Sequence, residues 1–446
     1  MLLSFEAKNY KSFLEGFRFS MIPIPRLKAI KYSILKDQIA SKEYNALCSA
    51  VIYGPNASGK TNIINAMRDF KNIVLSGNIE DDPKGANKFN ASSHLLGLIP
   101  NCFDTQNRPV EFLISFTENG LIFDYYLSID LGNFMERKHK RKILYEELKV
   151  NKKEIFSRAE TVNLYKLDMI KKYLSTEDVK KQDLIILSNN SLDPKELFLT
   201  NGFNFILAKK LVDIITDWFK NKLNIICQAN FVRCMPRPQK TENKGIFPMG
   251  NVMKESIKRF GVTSYDLGYA YNEDEDAYQV YSLVNKDSLA VPSEIFESYG
   301  TMRFVELFPV IMNALKLGGT LVLDEFDASI HPTVIMNIIK VFHNDEINRN
   351  KAQLIFNTHN PIFLNKDLFR RDEIKFVDKK DDGISTHYSL SDFKTYGDSR
   401  ARNTSDYMKN YFISRYGAIK DVDISDLIMK SVSESGDDAI VNKGDT

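Results

Sequence analysis

Short apolar runs separated by turn residues dominate the start of the chain. Residues 1–20 contain two such runs, joined by a turn at residues 11–13, which predicts two strands. Residues 47–53 form a small, β-prone, apolar run that ends at Gly54 and predicts a buried strand. Residues 62–75 then carry apolar side chains at helical spacing. The pattern therefore predicts a strand, a glycine-containing turn and a helix.

A β-hairpin is predicted next. The apolar runs at 110–116 and 121–129 flank Asn119 and Gly120, a pair of residues typical of tight hairpin turns. Two further strands are predicted at 143–150 and 154–158. The N-terminal part is therefore expected to be rich in antiparallel β-structure.

The middle of the chain changes character. From about residue 162 to residue 266 the pattern is mostly helical, and residues 203–223 predict one amphipathic helix. No heptad pattern persists over several turns, so a long coiled coil is not expected. Strand signals resume at 278–284.

Strands and helices alternate in the C-terminal part. A helix after residue 297 is followed by a buried strand at 320–323, and a helix at 332–342 precedes strands at 353–357 and 374–377. Such alternation predicts a layered α/β fold with parallel strands. We divide the chain into an N-terminal part of the α/β fold, a mostly helical insertion and a C-terminal part of the same fold, at residues 1–160, 161–275 and 276–446.

The strongest chemical signal is a glycine-rich loop between the first buried strand and the first helix. It fits the pattern G-x-x-x-x-G-K-[ST] from Gly54 to Thr61. Backbone N–H groups of such a loop surround phosphates, the lysine reaches the β- and γ-phosphates, and the threonine holds Mg²⁺. The residues predicted to bind the nucleotide here are Asn56, Ala57, Ser58, Gly59, Lys60, Thr61 and Asn62.

Two carboxylates follow the buried strand at 320–323. Asp324 is predicted to serve the Mg²⁺ shell and Glu325 to orient or deprotonate an attacking water. Ligands of open α/β sheets bind at the carboxyl ends of strands. An acidic pair alone is an ordinary turn, but with a phosphate loop upstream it indicates nucleotide hydrolysis.

A second anion site is predicted at residues 298–303. Ser298, Gly300 and Thr301 precede an apolar helix, and a helix N-terminus favours negative charge. By itself this pattern is also that of an ordinary helix cap. Its position shortly before the buried strand that ends at the acidic pair favours nucleotide binding.

Two histidines stand close to these motifs. His359 follows the strand at 353–357 and is predicted to donate a hydrogen bond to a γ-phosphate, as a catalytic group beside Lys60 and Glu325. His331 follows the acidic pair, and both a structural and an interfacial role stay open for it.

Composition narrows the class of protein only slightly. In the 446 residues, 43% hydrophobic content is enough for a core, and a net charge of +2 neither requires nor excludes nucleic acid. The four cysteines show no C-x-x-C spacing, and no leader or membrane-spanning apolar run is apparent. We expect a cytoplasmic protein with reduced thiols. The basic run at 137–142 fits an exposed hairpin tip better than a nucleic-acid contact, although either stays open.

The motifs, in this order, resemble the ABC ATPases of the RecF, SMC and OLD group. They resemble more particularly a bacterial family of AAA ATPases or GTP phosphatases found in abortive-infection and restriction-linked loci. The resemblance extends over nearly the whole chain and is carried by residues 9–13, 54–61, 297–303, 323–327, 368–374, 388–393 and 415–419.

This resemblance implies the architecture and the partners. It implies an ABC-type α/β head with an N-terminal antiparallel β lobe and an inserted helical segment. ATP and Mg²⁺ are the implied cofactors, and residues 298–303, the signature turn, would complete the site of a second copy. The implied role is anti-phage defence with a separately encoded effector, such as a nuclease or toxin of the same operon.

Three functional hypotheses follow. The first is an ATP-gated switch that dimerises around ATP. The second is a scaffold that sequesters a toxic partner and uses ATP mainly for its structure. The third is a repair-type ATPase that binds DNA ends, although the lack of a long coiled coil argues against DNA tethering in the SMC manner. The phosphate loop does not distinguish ATP from GTP, because it does not contact the base.

Overall fold

The computed structural model describes most of the chain. The described residues are 1–25, 30–39, 41–79, 97–134, 136, 138–175, 181–190, 192–227, 247–259, 266–272, 277–284, 289–393, 406–419, 424–425 and 428–429. Arg137 of the basic run and Cys234 lie outside them. Within these ranges, every helix is too short or too polar to cross a membrane.

The strands are numbered in chain order. They are β1 Leu2–Lys8, β2 Phe17–Ser20, β3 Ile34–Ile39, β4 Lys42–Leu47, β5 Ser49–Tyr53, β6 Val110–Glu118, β7 Leu121–Asp130, β8 Lys142–Val150, β9 Lys153–Arg158, β10 Val162–Leu164, β11 Leu223–Ile226, β12 Phe247–Pro248, β13 Asp266–Asn272, β14 Ala277–Val284, β15 Leu289–Pro292, β16 Thr320–Leu323, β17 Gln353–Asn357, β18 Ile374–Lys379 and β19 Ser385–Ser389.

The α-helices are numbered in the same way. They are α1 Lys60–Ser76, α2 Lys181–Asn190, α3 Lys209–Asp217, α4 Asn251–Arg259, α5 Ser293–Phe296, α6 Tyr299–Leu317, α7 Pro332–His343 and α8 Tyr407–Phe412. Two π-helical stretches, Leu199–Ala208 and Trp218–Lys222, flank α3. Shorter 3₁₀ turns occur at Lys31–Ser33, Leu167–Tyr173, Pro361–Phe363 and Leu390–Asp392.

The N-terminal strands form a seven-stranded antiparallel sheet, as predicted. Its order is β10-β9-β8-β7-β6-β1-β2. Between β6 and β7, Asn119 and Gly120 both have positive φ, at 49° and 71°. A two-residue turn of this kind matches the twist of the two strands, which explains why this hairpin could be predicted.

A six-stranded sheet carries the motifs. Its order is β11-β16-β17-β5-β18-β19, and its strands are parallel except for β19. Strands β5, β16 and β17 are buried at every position, as their continuous apolar runs predict. Because β17 pairs with both β16 and β5, the phosphate loop, the acidic pair and His359 leave neighbouring strand ends.

The helical middle segment is joined to the head more closely than its pattern indicated. The helix predicted at 203–223 is present, but it starts at Leu199 and passes directly into β11, which pairs in parallel with β16. Trp218 stacks on Phe116 of the antiparallel sheet at a ring distance of 4.0 Å. The three-part division of the chain stays a prediction, and the structure shows that the segment shares both a sheet and a core with the head.

A smaller antiparallel sheet precedes the signature turn. It has the order β12-β13-β14-β15, of which the sequence pattern predicted only β14. Strand β15 leads directly into α5 and then into α6. The signature turn is thereby attached to a separate sheet, next to a second hydrophobic core that lies against α6 and α7.

Candidate functional site

The phosphate loop has the backbone that its glycines predict. Gly59 has φ 110°, and a Cβ there would lie 2.7 Å from the Oγ atoms of Ser12 and Ser385. Only glycine accepts both this conformation and this close approach. Ser385 Oγ donates to the Ser58 carbonyl at 2.5 Å, so the loop is held by the β1–β2 turn on one side and by β19 on the other.

Lys60 lies at the base of this loop and is almost buried, at 6% exposure. Its Nζ donates to the carbonyls of Gly54 at 2.9 Å and Pro55 at 3.0 Å. Burial lowers the pKa of Lys60 to about 8, although the nearby carboxylates of Asp324 and Glu325 favour its charged form. The ammonium is therefore poorly solvated and available to a phosphate.

Thr61 is hydrogen-bonded directly to Asp324, the first residue of the acidic pair. Thr61 Oγ1 donates to Asp324 Oδ1 at 3.0 Å. Neighbouring oxygens in an octahedral Mg²⁺ shell with bonds of about 2.0–2.1 Å are about 2.9 Å apart. The spacing of the two oxygens is therefore compatible with the magnesium site that the sequence predicted at Thr61 and Asp324.

Asn357 connects the two carboxylate residues, a role that the sequence analysis missed. Its Nδ2 donates to Asp324 Oδ1 at 2.5 Å, and its Oδ1 accepts the N–H of Glu325 at 2.5 Å. Asn357 is buried at the end of β17, in the motif that also predicted His359. The available signal was a polar residue at the carboxyl end of a strand whose three central residues are apolar.

Glu325 has a left-handed backbone, with φ 50°. This conformation is uncommon for a residue other than glycine, and it persists where the surroundings fix it. The carbonyl of Glu325 accepts Arg303 Nη2 at 2.6 Å and the N–H of Ala328 at 3.1 Å. Both peptide groups of this residue are thus held by neighbours.

One cavity of about 240 Å³ collects most of the predicted residues. Partial burial, together with the positive charge of Lys60, lowers the pKa of His359, so its imidazole is mainly neutral at pH 7 and offers one N–H donor. Ser58 Oγ, also in this cavity, is buried without a hydrogen-bond partner among the described residues. A phosphate oxygen would supply one. The cavity is lined by Asn56, Ala57, Ser58, Gly59, Lys60, Thr61, Asn62, Glu325, Asn357 and His359.

The signature turn does not line this cavity. Ser298 caps α6, with its Oγ accepting the N–H of Thr301 at 3.1 Å, and its side chain faces solvent. Ser298, Gly300 and Thr301 are therefore arranged as the helix N-terminus that the sequence predicted, but away from the phosphate loop of their own chain.

His331 has a structural role within the chain. Its Nδ1 accepts the N–H of Thr333 at 3.3 Å and thereby caps α7. Its side chain is exposed, and the interfacial role stays a prediction.

Strand order and motif positions define the class of protein. A phosphate loop after β5, an acidic pair after β16 and a histidine after β17 lie on three adjacent parallel strands, beside an antiparallel β lobe. The chain is an ATPase of the ABC/AAA type, with an ABC-type P-loop head. This confirms the fold class that the sequence predicted.

A comparison of this chain with models of protein families identifies its family. The model of the family described as "AAA domain, putative AbiEii toxin, Type IV TA system" matches residues 49–365. This match covers more than half of the chain, and the chain belongs to this family.

Two solved structures of SMC heads are similar at a low level. One is the crystal structure of the SmcHead bound to the C-winged helix domain of ScpA, with 12% identity, 87% of this chain and 97% of that chain covered, and a TM-score of 0.37. The other is the SMC head domain from Thermotoga maritima, with 14% identity, 87% and 98% coverage, and a TM-score of 0.37. At these scores, the fold class rests on the strand order and motifs of the chain itself.

Proposed function

We propose that this protein is an ATP-hydrolysing switch in which two copies enclose two ATP molecules. The observation that carries the proposal is the position of Ser298, on an exposed helix N-terminus outside the phosphate cavity of its own chain. A helix N-terminus with a free face is suited to bind an anion. A second copy would bring its γ-phosphate to this face.

Residues of one chain would then have separate roles in hydrolysis. Lys60 binds the β- and γ-phosphates, and Thr61 and Asp324 hold Mg²⁺, which neutralises charge on the phosphate oxygens when bound. Glu325 orients the attacking water and accepts its proton. His359, mainly neutral at pH 7, donates a hydrogen bond to the γ-phosphate and supports the charge that develops there.

The family description supports the biological part of the proposal. That description names a putative AbiEii toxin and a type IV toxin–antitoxin system. We therefore propose a role in anti-phage defence, in the cytoplasm, where the ATP-bound and separated states control a separately encoded nuclease or toxin. Nucleic-acid binding has weaker support, because Asp130 Oδ2 lies 3.9 Å from Lys142 Nζ in the basic run and offsets positive charge there.

Mixed dimers test whether the site is shared between two copies. One chain keeps Glu325 and the other carries Glu325→Gln, so only one site hydrolyses ATP. Different tags on the two chains allow the mixed dimer to be purified with ATP present. Ser298→Arg is then added to the Glu325→Gln chain, which contributes no hydrolysis of its own.

We expect this addition to reduce the hydrolysis rate at least ~100-fold, because the substituted turn would face the ATP of the intact chain. Dimers of two Glu325→Gln chains give the background rate. An unchanged rate would show that Ser298 takes no part in the partner's site and would contradict the proposal.

A further inference from the structure

Arg303 links the signature helix to the hydrolytic residue within one chain. It lies in the second turn of α6 and is buried, at 3% exposure. Its Nη2 donates to the carbonyl of Glu325 at 2.6 Å. A charged donor makes a stronger hydrogen bond than a neutral one, and the buried location strengthens it further.

The same two elements also touch at the start of the helix. Gly300 packs so closely on the loop after the acidic pair that a Cβ there would lie 2.2 Å from the Ser329 carbonyl oxygen. Ser329 itself has positive φ, at 66°. A shift of the signature turn therefore displaces the loop that begins at Glu325.

Glu325 is suited to respond to such a shift. Its left-handed backbone costs free energy and is kept by hydrogen bonds on both sides, from Asn357 and from Arg303. The bond to Asn357 belongs to the fixed sheet, whereas the bond to Arg303 belongs to the helix that would meet the partner. A third hydrogen bond, from the N–H of Ala328 to the Glu325 carbonyl, lies within the loop itself. Movement of α6 thus changes one of the three hydrogen bonds that hold the backbone of Glu325.

We propose that Arg303 is a positioning residue that couples the signature helix of each chain to Glu325 of the same chain. ATP held by the partner and contacted by the signature turn would set the position of α6, and Arg303 would then place Glu325 for hydrolysis in its own site. Each ATP in the dimer would thereby activate hydrolysis of the other. This inference rests on the proposed dimer. It adds that the ATP bound by one chain acts on Glu325 of the other chain.

The mixed dimer with a single intact Glu325 separates this role from a general effect on the helix. Arg303→Lys keeps the charge but loses the planar guanidinium that reaches the carbonyl. Placed in the chain with intact Glu325, it should lower the hydrolysis rate at saturating ATP at least ~10-fold. Placed in the Glu325→Gln chain, it should leave the rate within about twofold. Equal losses in both placements, or no loss in the first, would overturn the proposal.

A second substitution tests the source of the signal. Ser298→Arg in the chain with intact Glu325 alters only the partner's inert site. In mixed dimers that light scattering shows to be intact, coupling predicts that hydrolysis still slows at least ~10-fold, whereas independent sites leave it unchanged, which would overturn the coupling. This result is separate from the test of the shared site, in which Ser298→Arg is in the other chain.

Arg371 provides the matched control. It is also a buried arginine whose Nη2 donates to a backbone carbonyl, that of Phe393 at 2.6 Å, but it lies outside the phosphate cavity. Arg371→Lys should lower the melting temperature by an amount similar to Arg303→Lys and leave the hydrolysis rate unchanged. A similar loss of rate in this control would show that stability alone explains the effect of Arg303→Lys.

Discussion

At the scale of single residues, the candidate site is a connected network. Thr61, Asp324 and Glu325 are joined through hydrogen bonds to one another or to Asn357. Asn357 supplies both a donor and an acceptor, which no carboxylate or aliphatic side chain of its size does. The geometry of the acidic pair therefore depends on an amide that comes from the next strand.

Replacing Asn357 by Leu tests this dependence. The substitution keeps the size of the side chain but removes the acceptor of the Glu325 N–H and the amide donor to Asp324 Oδ1. We expect the free energy of unfolding to fall by about 1–3 kcal/mol. The kcat should fall ~10- to 100-fold, with ATP affinity changed only a few-fold, since Glu325 is misplaced.

Asn348→Leu is the control for this experiment. Asn348 is equally buried, and its side chain bonds the backbone of Phe342 and Ala352, away from the phosphate cavity. It should lose similar stability, measured by urea unfolding, but keep its kcat. If both variants lost kcat equally, Asn357 would have no particular role in the site.

The lowered pKa of Lys60 predicts that ATP binding depends on pH. Burial lowers its pKa to about 8, so the ammonium is present below pH 7 and is lost as pH rises through 8. If only the charged form binds ATP, the Kd should rise about tenfold between pH 7 and pH 9.

Lys60→Arg should bind ATP with a Kd that is nearly constant over this range, because arginine stays protonated. Equilibrium binding of a fluorescent ATP analogue measures both proteins. A wild-type Kd that stays constant to pH 9, or an equal rise in the Arg variant, would contradict this account of Lys60.

At this scale, the sequence predicted which residues gather but not how they are joined. Fixed spacing identifies Lys60 and Thr61, because the phosphate loop is a continuous segment. The contact of Asn357 with Asp324 depends on the register between β16 and β17, in which Leu323 pairs with Phe356. The residue pattern within a single strand does not specify that register.

At the scale of secondary structure, apolar patterns predicted several strands, but they missed β3, β4 and β19. Strands β16 and β17 have the predicted bounds. Strand β11 was missed because Lys222 leads from a helix directly into Leu223–Ile226 without a glycine or proline. Its strand conformation comes from pairing with β16, which is remote in sequence.

Glu146 makes buried polar contacts between the antiparallel sheet and the helical segment. It is fully buried, and its carboxylate accepts the N–H groups of Phe198 and Leu199, each at 2.8 Å, and the hydroxyl of Tyr125 at 2.9 Å. Arg158 Nη1 lies 3.5 Å from its Oε2. Burial raises the pKa of Glu146, and the charge of Arg158 opposes that rise.

Glu146→Ala should therefore lower the free energy of unfolding by about 3–5 kcal/mol, because Arg158 stays buried with its charge uncompensated. Urea unfolding followed by circular dichroism measures the loss. Glu255→Ala, which removes an exposed ion pair with Arg259, should cost no more than about 0.5 kcal/mol. Comparable costs for the two variants would show that Glu146 does not hold the helical segment to the sheet.

At the scale of the whole molecule, the signature turn lies outside the phosphate cavity of its own chain. The phosphate cavity is built from the ends of β5, β16 and β17, whereas the signature turn follows the small sheet that ends with β15. Hydrolysis would therefore require a second copy, and assembly would depend on the γ-phosphate. The sequence predicted this division only through its resemblance to ABC ATPases.

The most direct test is the mass of the Glu325→Gln protein in solution, by light scattering with and without ATP and Mg²⁺. We predict a monomer without nucleotide or with ADP, a stable dimer with ATP, and a monomer again when Ser298→Arg is added. A Glu325→Gln protein that binds ATP at saturation and stays monomeric would contradict the proposed ATP-enclosing dimer.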